Sequence, residues 1–193
     1  MANISETRST DTVWRILVWG GLAALLALPL VAMQFTDEVD WSPFDFLVMG
    51  ILFSVVGGCF ELAARLSRNW TYRAGFAVTI ITSFLTIWVN LAVGMIGNED
   101  NPANLVFTGV LMVAAIGAIV ARFRPDGMAR AMIVAALAQA GCAAWAVSLG
   151  HTRDAMFISI FCVFWLAAAA LFRIAAGSAG QTDDGNSAPA NLR

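Results

Sequence analysis

The chain has 193 residues, of which 60% are hydrophobic and 12% charged, with a net charge of −2 and a mean hydropathy of +0.77. Soluble domains carry roughly 25% charged residues, so about half of the usual solubilising charge is absent. This balance excludes a disordered protein, a nucleic-acid binder and a disulfide-stapled secreted module, and it leaves lipid as the main solvent.

Crossing a bilayer core as a helix takes ~20 apolar residues. Six runs meet or approach that length, at about 13–35, 44–66, 75–97, 105–121, 128–150 and 155–171. The first exceeds the h-region of a secretory signal and ends without a small-x-small cleavage site, so it reads as a retained signal anchor. Pro29 inside it is expected to kink the helix. The connections are short, so neighbouring spans must be antiparallel. The expected fold class is all-α: a polytopic membrane protein with six transmembrane helices in an up-down bundle. A polar N-terminal tail (1–12) precedes the membrane domain (13–176). The Gly/Ser/Asn-rich stretch 177–193 is expected to be a disordered tail.

Orientation follows from the basic residues, all eleven of which are Arg. Ten of them, at 8, 15, 65, 68, 73, 122, 124, 130, 173 and 193, fall on one side of a six-span arrangement. The other side carries Arg153 with Asp37, Glu38, Asp40, Asp45, Glu99, Asp100 and Asp154. The positive-inside rule then places both termini in the cytoplasm. Helix starts are marked by Ser42-Pro43-Phe44-Asp45 and by Asn101-Pro102, and Arg124-Pro125-Asp126-Gly127 reads as a tight turn. Shifting residues 64–88 by 57 positions aligns Arg65 with Arg122, Arg73 with Arg130 and Trp88 with Trp145. This is a hairpin repeat, or simply the flanking Arg and Trp that membrane hairpins favour.

Polar groups inside spans are costly and mark places to look for function. In the second span Gly50, Ser54, Gly57, Gly58, Glu61 and Arg65 share one face, a small-residue groove ending in a carboxylate. In the third, Gly75, Thr79, Thr82, Ser83, Thr86, Asn90 and Gly97 share a face that Tyr72 extends, with Trp88 opposite, toward lipid. The two stripes are expected to pack on each other as interhelical contacts, or the third-span stripe lines a polar path. Glu61 is expected to pair with Arg65 or Arg73 near the membrane boundary; a proton or cation site is the alternative. Gln139 and Asn90 suit hydrogen bonds between helices.

On the outer side, Asn98, Glu99, Asp100, Asn101 and Asn104 form a dense loop that is expected to be ordered. With Asp45, His151 and Asp154 they supply the oxygen ligands a hard cation needs, although carboxylates there also cap helix starts. The three cysteines, Cys59, Cys142 and Cys162, lie in apolar runs without metal-ligand spacing. No hydrolase, zinc-protease, phosphate-loop or dinucleotide motif occurs, so no catalytic residue, metal or cofactor is expected.

Four strings, Trp41-Ser-Pro-Phe-Asp-Phe46, Glu61-Leu62 with Arg65, Trp88-Val-Asn90-Leu-Ala-Val-Gly94 and Ile96-Gly-Asn-Glu99-Asp-Asn101-Pro102-Ala-Asn104, resemble an uncharacterised family of small multi-pass bacterial inner-membrane proteins. The resemblance implies the polytopic fold and no activity. The first functional expectation is a non-enzymatic accessory or scaffold component of a membrane complex. A small oligomeric permease or channel, with its path along the third helix and Glu61 near the inner mouth, is the alternative. A second alternative is an outward-facing metal or ligand sensor using Glu99 and Asp100. The expected partners are the bilayer and either other membrane-protein subunits or further copies of the chain, with no nucleic acid.

Overall fold

A computed structural model describes the backbone of residues 3–186 and the side chains of residues 15–178. Its helices are α1 (Asn3–Ala32), α2 (Pro43–Leu66), α3 (Trp70–Ala92), α4 (Val106–Val120), α5 (Pro125–Ser148) and α6 (Thr152–Asn186), with a 3₁₀ turn at Pro102–Leu105 leading into α4. Among the described residues there is no strand, and six helical segments are long and apolar enough to span a membrane. Their surfaces are coated with Leu, Ile, Val and Phe, as lipid requires. The fold is an all-α, six-span membrane protein.

Local chemistry sets the helix boundaries and corrects several of the expected ones. At the start of α2 the Ser42 N–H and hydroxyl both donate to Asp45 Oδ2, each at 2.7 Å, and the Asp45 N–H donates back to Ser42 Oγ at 3.3 Å. This reciprocal cap agrees with the sequence reading and engages Asp45 in helix initiation. The third span was expected at 75–97, but α3 starts five residues earlier. There Asn69 Oδ1 accepts from the Thr71 N–H at 2.9 Å as an N-cap. The helix stops at Ala92 because Gly94 takes a left-handed φ of +74°. Gly97 therefore lies in the outer loop and not on the α3 stripe. Pro29 lies in the last turn of α1, where it removes the bond to the Leu25 carbonyl. The backbone of α6 is helical to Asn186, and residues 187–193, the end of the expected C-terminal tail, lie outside the described part.

The chain divides into two compact units, residues 1–62 and 63–193. In the first, α1 and α2 meet in an antiparallel register. Leu26 packs at Gly50, Trp19 at Gly57 and Arg15 at Glu61, so each step along α1 matches an equal step back along α2. In the second, α6 packs against both α5 and α3, and α4 lies against α5. Small residues permit these approaches: Ala135, Ala143 and Ala146 on α5, with Ala155 and Ala168 on α6, are buried. A Cβ on Gly117 would stand 2.7 Å from that of Ala131, so only glycine admits α4 so close to α5. In lipid, where apolar transfer supplies no drive between helices, such packing supplies much of the cohesion.

The turns before α3 and after α4 differ, despite the aligned arginines. Before α3, the chain is extended at Asn69, and Arg73 donates to the Ala64 and Ser67 carbonyls at 2.9 and 2.8 Å. After α4, Arg122 and Phe123 both adopt left-handed backbone, at φ 51° and 57°. Their N–H groups return to the Ile119 and Ala118 carbonyls, which closes α4 in the manner usually supplied by glycine.

Candidate functional site

In the first unit Glu61 is the focus. Its Oε2 accepts from Arg15 Nη2 and its Oε1 from the Trp19 indole N–H, both at 3.1 Å. Neither member of the ion pair is buried, with side-chain exposures of 56% and 29%, so the attraction is partly screened. Gly57 makes the arrangement possible, because a Cβ there would lie 2.8 Å from the Trp19 ring. Arg15 and Trp19 were not singled out beforehand as Glu61's partners. Their signal was readable: Arg15 and Trp19 are one turn apart on α1, as Gly57 and Glu61 are on α2. Arg73, one of the expected partners, caps the end of α2 instead.

Within each unit the polar stripe has its own neighbours. Trp19 and Leu26 occupy the α2 groove, whereas the α3 stripe is taken up inside the second unit. Gly75 rests on Leu171 and Phe172 of α6, and Thr79 Oγ1 lies 3.3 Å from Met132 Sδ of α5. Every hydroxyl of the stripe also donates to the carbonyl one turn back. These bonds run from Thr79 to Gly75, Thr82 to Val78, Ser83 to Thr79 and Thr86 to Thr82 at 2.7–2.9 Å, with Asn90 Nδ2 on Thr86 at 2.6 Å. Thr82 and Thr86 are fully buried. A hydroxyl bonded in this way can sit in an apolar interface without a second partner. Trp88 is 42% exposed, as expected for the face turned to lipid.

Gln139 sits on α5 facing α6, fully buried, and donates to the Ile158 carbonyl at 3.4 Å. Among the described residues its Oε1, the Asn90 Oδ1 and the indole N–H of buried Trp165 have no hydrogen-bond partner. At the inner end, buried Tyr72 donates to the Phe123 carbonyl at 2.8 Å, and its ring lies 5.3 Å from Phe172. This bond fastens the left-handed turn to α3. Tyr72→Phe is expected to lower stability by about 1–2 kcal/mol, because it leaves that carbonyl without its donor. Unfolding in mixed micelles would measure the loss, and an unchanged midpoint would count against the fastening role.

Asn104 organises the loop between α3 and α4. Asn104 Oδ1 accepts from the Met95 and Ile96 N–H groups at 3.0 and 2.8 Å, and its Nδ2 donates to the Asn98 carbonyl at 2.6 Å. Asn101 Oδ1 accepts from the Ala103 N–H at 3.0 Å and caps the 3₁₀ turn. Asp154 Oδ2, at the start of α6, accepts from the Gly97 N–H at 2.8 Å and lies 2.9 Å from His151 Nδ1. Asn101, Asn104, His151 and Asp154 are therefore engaged in loop structure, while Asn98, Glu99 and Asp100 are exposed at its tip. Among the described residues, no three His, Cys, Asp or Glu side chains come together as metal ligands do. No family model, curated protein or solved structure matches the chain, so the function must be read from these three polar clusters themselves.

Proposed function

We propose that the chain is a non-enzymatic component of a bacterial inner membrane, with both termini cytoplasmic, and that it serves as an accessory or scaffold subunit. The observation that carries this reading lies in the first unit. The α1–α2 hairpin carries a shallow apolar groove lined by Leu26, Phe46, Leu47, Gly50, Ile51 and Val55. An apolar helix of another membrane protein fits such a surface by side-chain packing against Leu47, Ile51 and Val55, which are exposed. A photo-reactive residue at Ile51 or Val55 is expected to cross-link to a distinct protein in native membranes. Labelling of lipid alone at both positions would refute the docking role.

A small permease is the second reading, favoured by the unpartnered Asn90 Oδ1 and Gln139 Oε1 within the spans. Purified protein in vesicles would then move a polar solute, and Gln139→Leu would abolish the flux. The scaffold reading expects no flux from the purified chain.

A further inference from the structure

We propose that the α4–α5 turn, with Arg122, Arg124 and Arg130, is a binding site for the phosphate headgroup of an anionic phospholipid. The inference rests on the six-span fold and not on the scaffold reading. Arg122 and Arg124 flank Phe123, whose carbonyl is held by Tyr72 and whose ring lies 6.2 Å from that of Phe76. The turn is thus fixed to the bundle while both guanidinium groups stay exposed. Arg130 is also exposed, about a turn and a half along α5 and inside its span. A cation at that depth on an outward face needs an anion within reach of its long side chain. No carboxylate among the described residues pairs with any of the three, not even Asp126, one turn before Arg130.

The backbone supplies a second, independent observation. Arg122 stands at φ 51°, in the closing position of a helix where glycine is favoured and a side chain is strained. Phe123 shares this left-handed backbone and packs its ring on Phe76, and the strain kept at Arg122 likewise points to a use for its side chain. The surface immediately below the turn matches a lipid and not a free anion. Ile116, Ile119 and Val120 of α4 are 52%, 65% and 76% exposed, an apolar strip against which an acyl chain can lie while its phosphate meets the arginines. Basic clusters at the ends of membrane helices recognise anionic headgroups through this combination of charge and apolar contact.

The test uses the full-length chain, purified in detergent and stripped of lipid. Native mass spectrometry would follow titration with dioleoyl phosphatidylglycerol, dioleoyl phosphatidylcholine of the same chain length, and soluble glycerol 3-phosphate. Phosphatidylglycerol is expected to bind at least about ten-fold more tightly than phosphatidylcholine. Arg122→Gly and Arg124→Gln should each weaken it about five-fold, while Arg153→Gln, at the opposite end of the spans, leaves it unchanged. Arg122→Gly should also melt no lower than the parent, since glycine relieves the left-handed strain, so its loss of lipid cannot be ascribed to misfolding. The proposal is overturned if the two lipids bind alike, if Arg122→Gly retains full affinity, or if Arg153→Gln loses as much. Competition by glycerol 3-phosphate at the lipid's own concentration would likewise overturn it, by showing a free-anion site.

Discussion

Asn104→Ala is expected to cost the second unit about 2–4 kcal/mol, one of the largest losses available from a single polar side chain outside the membrane core. The substitution strips the acceptor from the N–H groups of Met95 and Ile96, residues only 2% and 0% exposed. Water cannot readily replace it there, so two buried donors are left unpaired. The Asn98 carbonyl loses one of its two donors and keeps the Asn101 N–H at 3.2 Å. Asn104→Asp separates the two effects: it keeps an acceptor for both N–H groups but turns a second oxygen toward Asn98, so it should fall between Ala and the parent. Amide hydrogen exchange reads this directly, because a loss of 2.8 kcal/mol is about a hundred-fold gain in exchange at Met95 and Ile96. Unchanged protection at those two amides in Asn104→Ala would show that the carboxamide does not hold the loop.

That loop also shows what the sequence made legible and what it did not. The density of Asn, Asp, Gly and Pro between residues 97 and 104 announced a fixed backbone, since each of those residues restricts or redirects it. Composition did not say which asparagine would be central. Asn101 before Pro102 carried a recognisable capping pattern, and the structure bears it out. Asn104 has no local pattern, because its partners are eight and nine residues back. The spans were legible from apolar length alone, and their ends less so. Asn69 and Gly94 moved α3 by five residues because a cap and a left-handed glycine outweigh hydropathy at a boundary. Each polar stripe has neighbours within its own unit that the sequence did not name: Trp19 fills the groove at Gly57, and Leu171 and Phe172 meet Gly75. Which helices face one another depends on side-chain volume across distant positions, which periodicity within one helix does not contain.

Trp165→Ala should be among the most disruptive substitutions within the spans, and Trp165→Phe nearly silent. The indole is fully buried on α6, and its ring fills volume that no smaller neighbour can reach. In lipid the transfer term largely vanishes, because hydrocarbon is as apolar as the protein interior. The cavity and the lost packing remain, at about 2–4 kcal/mol for removing the whole ring. Phenylalanine gives up only part of that volume, at about 1 kcal/mol. It also removes a buried N–H that has no acceptor, a group whose desolvation costs about 1–3 kcal/mol when unpaired. The two effects oppose each other, so Trp165→Phe is expected to unfold within about 1 kcal/mol of the parent in mixed micelles, and Trp165→Ala well below it. Equal losses in both variants would mean that the indole N–H makes a hydrogen bond on which the α3–α5–α6 packing depends. The permease reading would then gain ground, because such a bond would require a polar partner in the same layer as Thr82 and Met132.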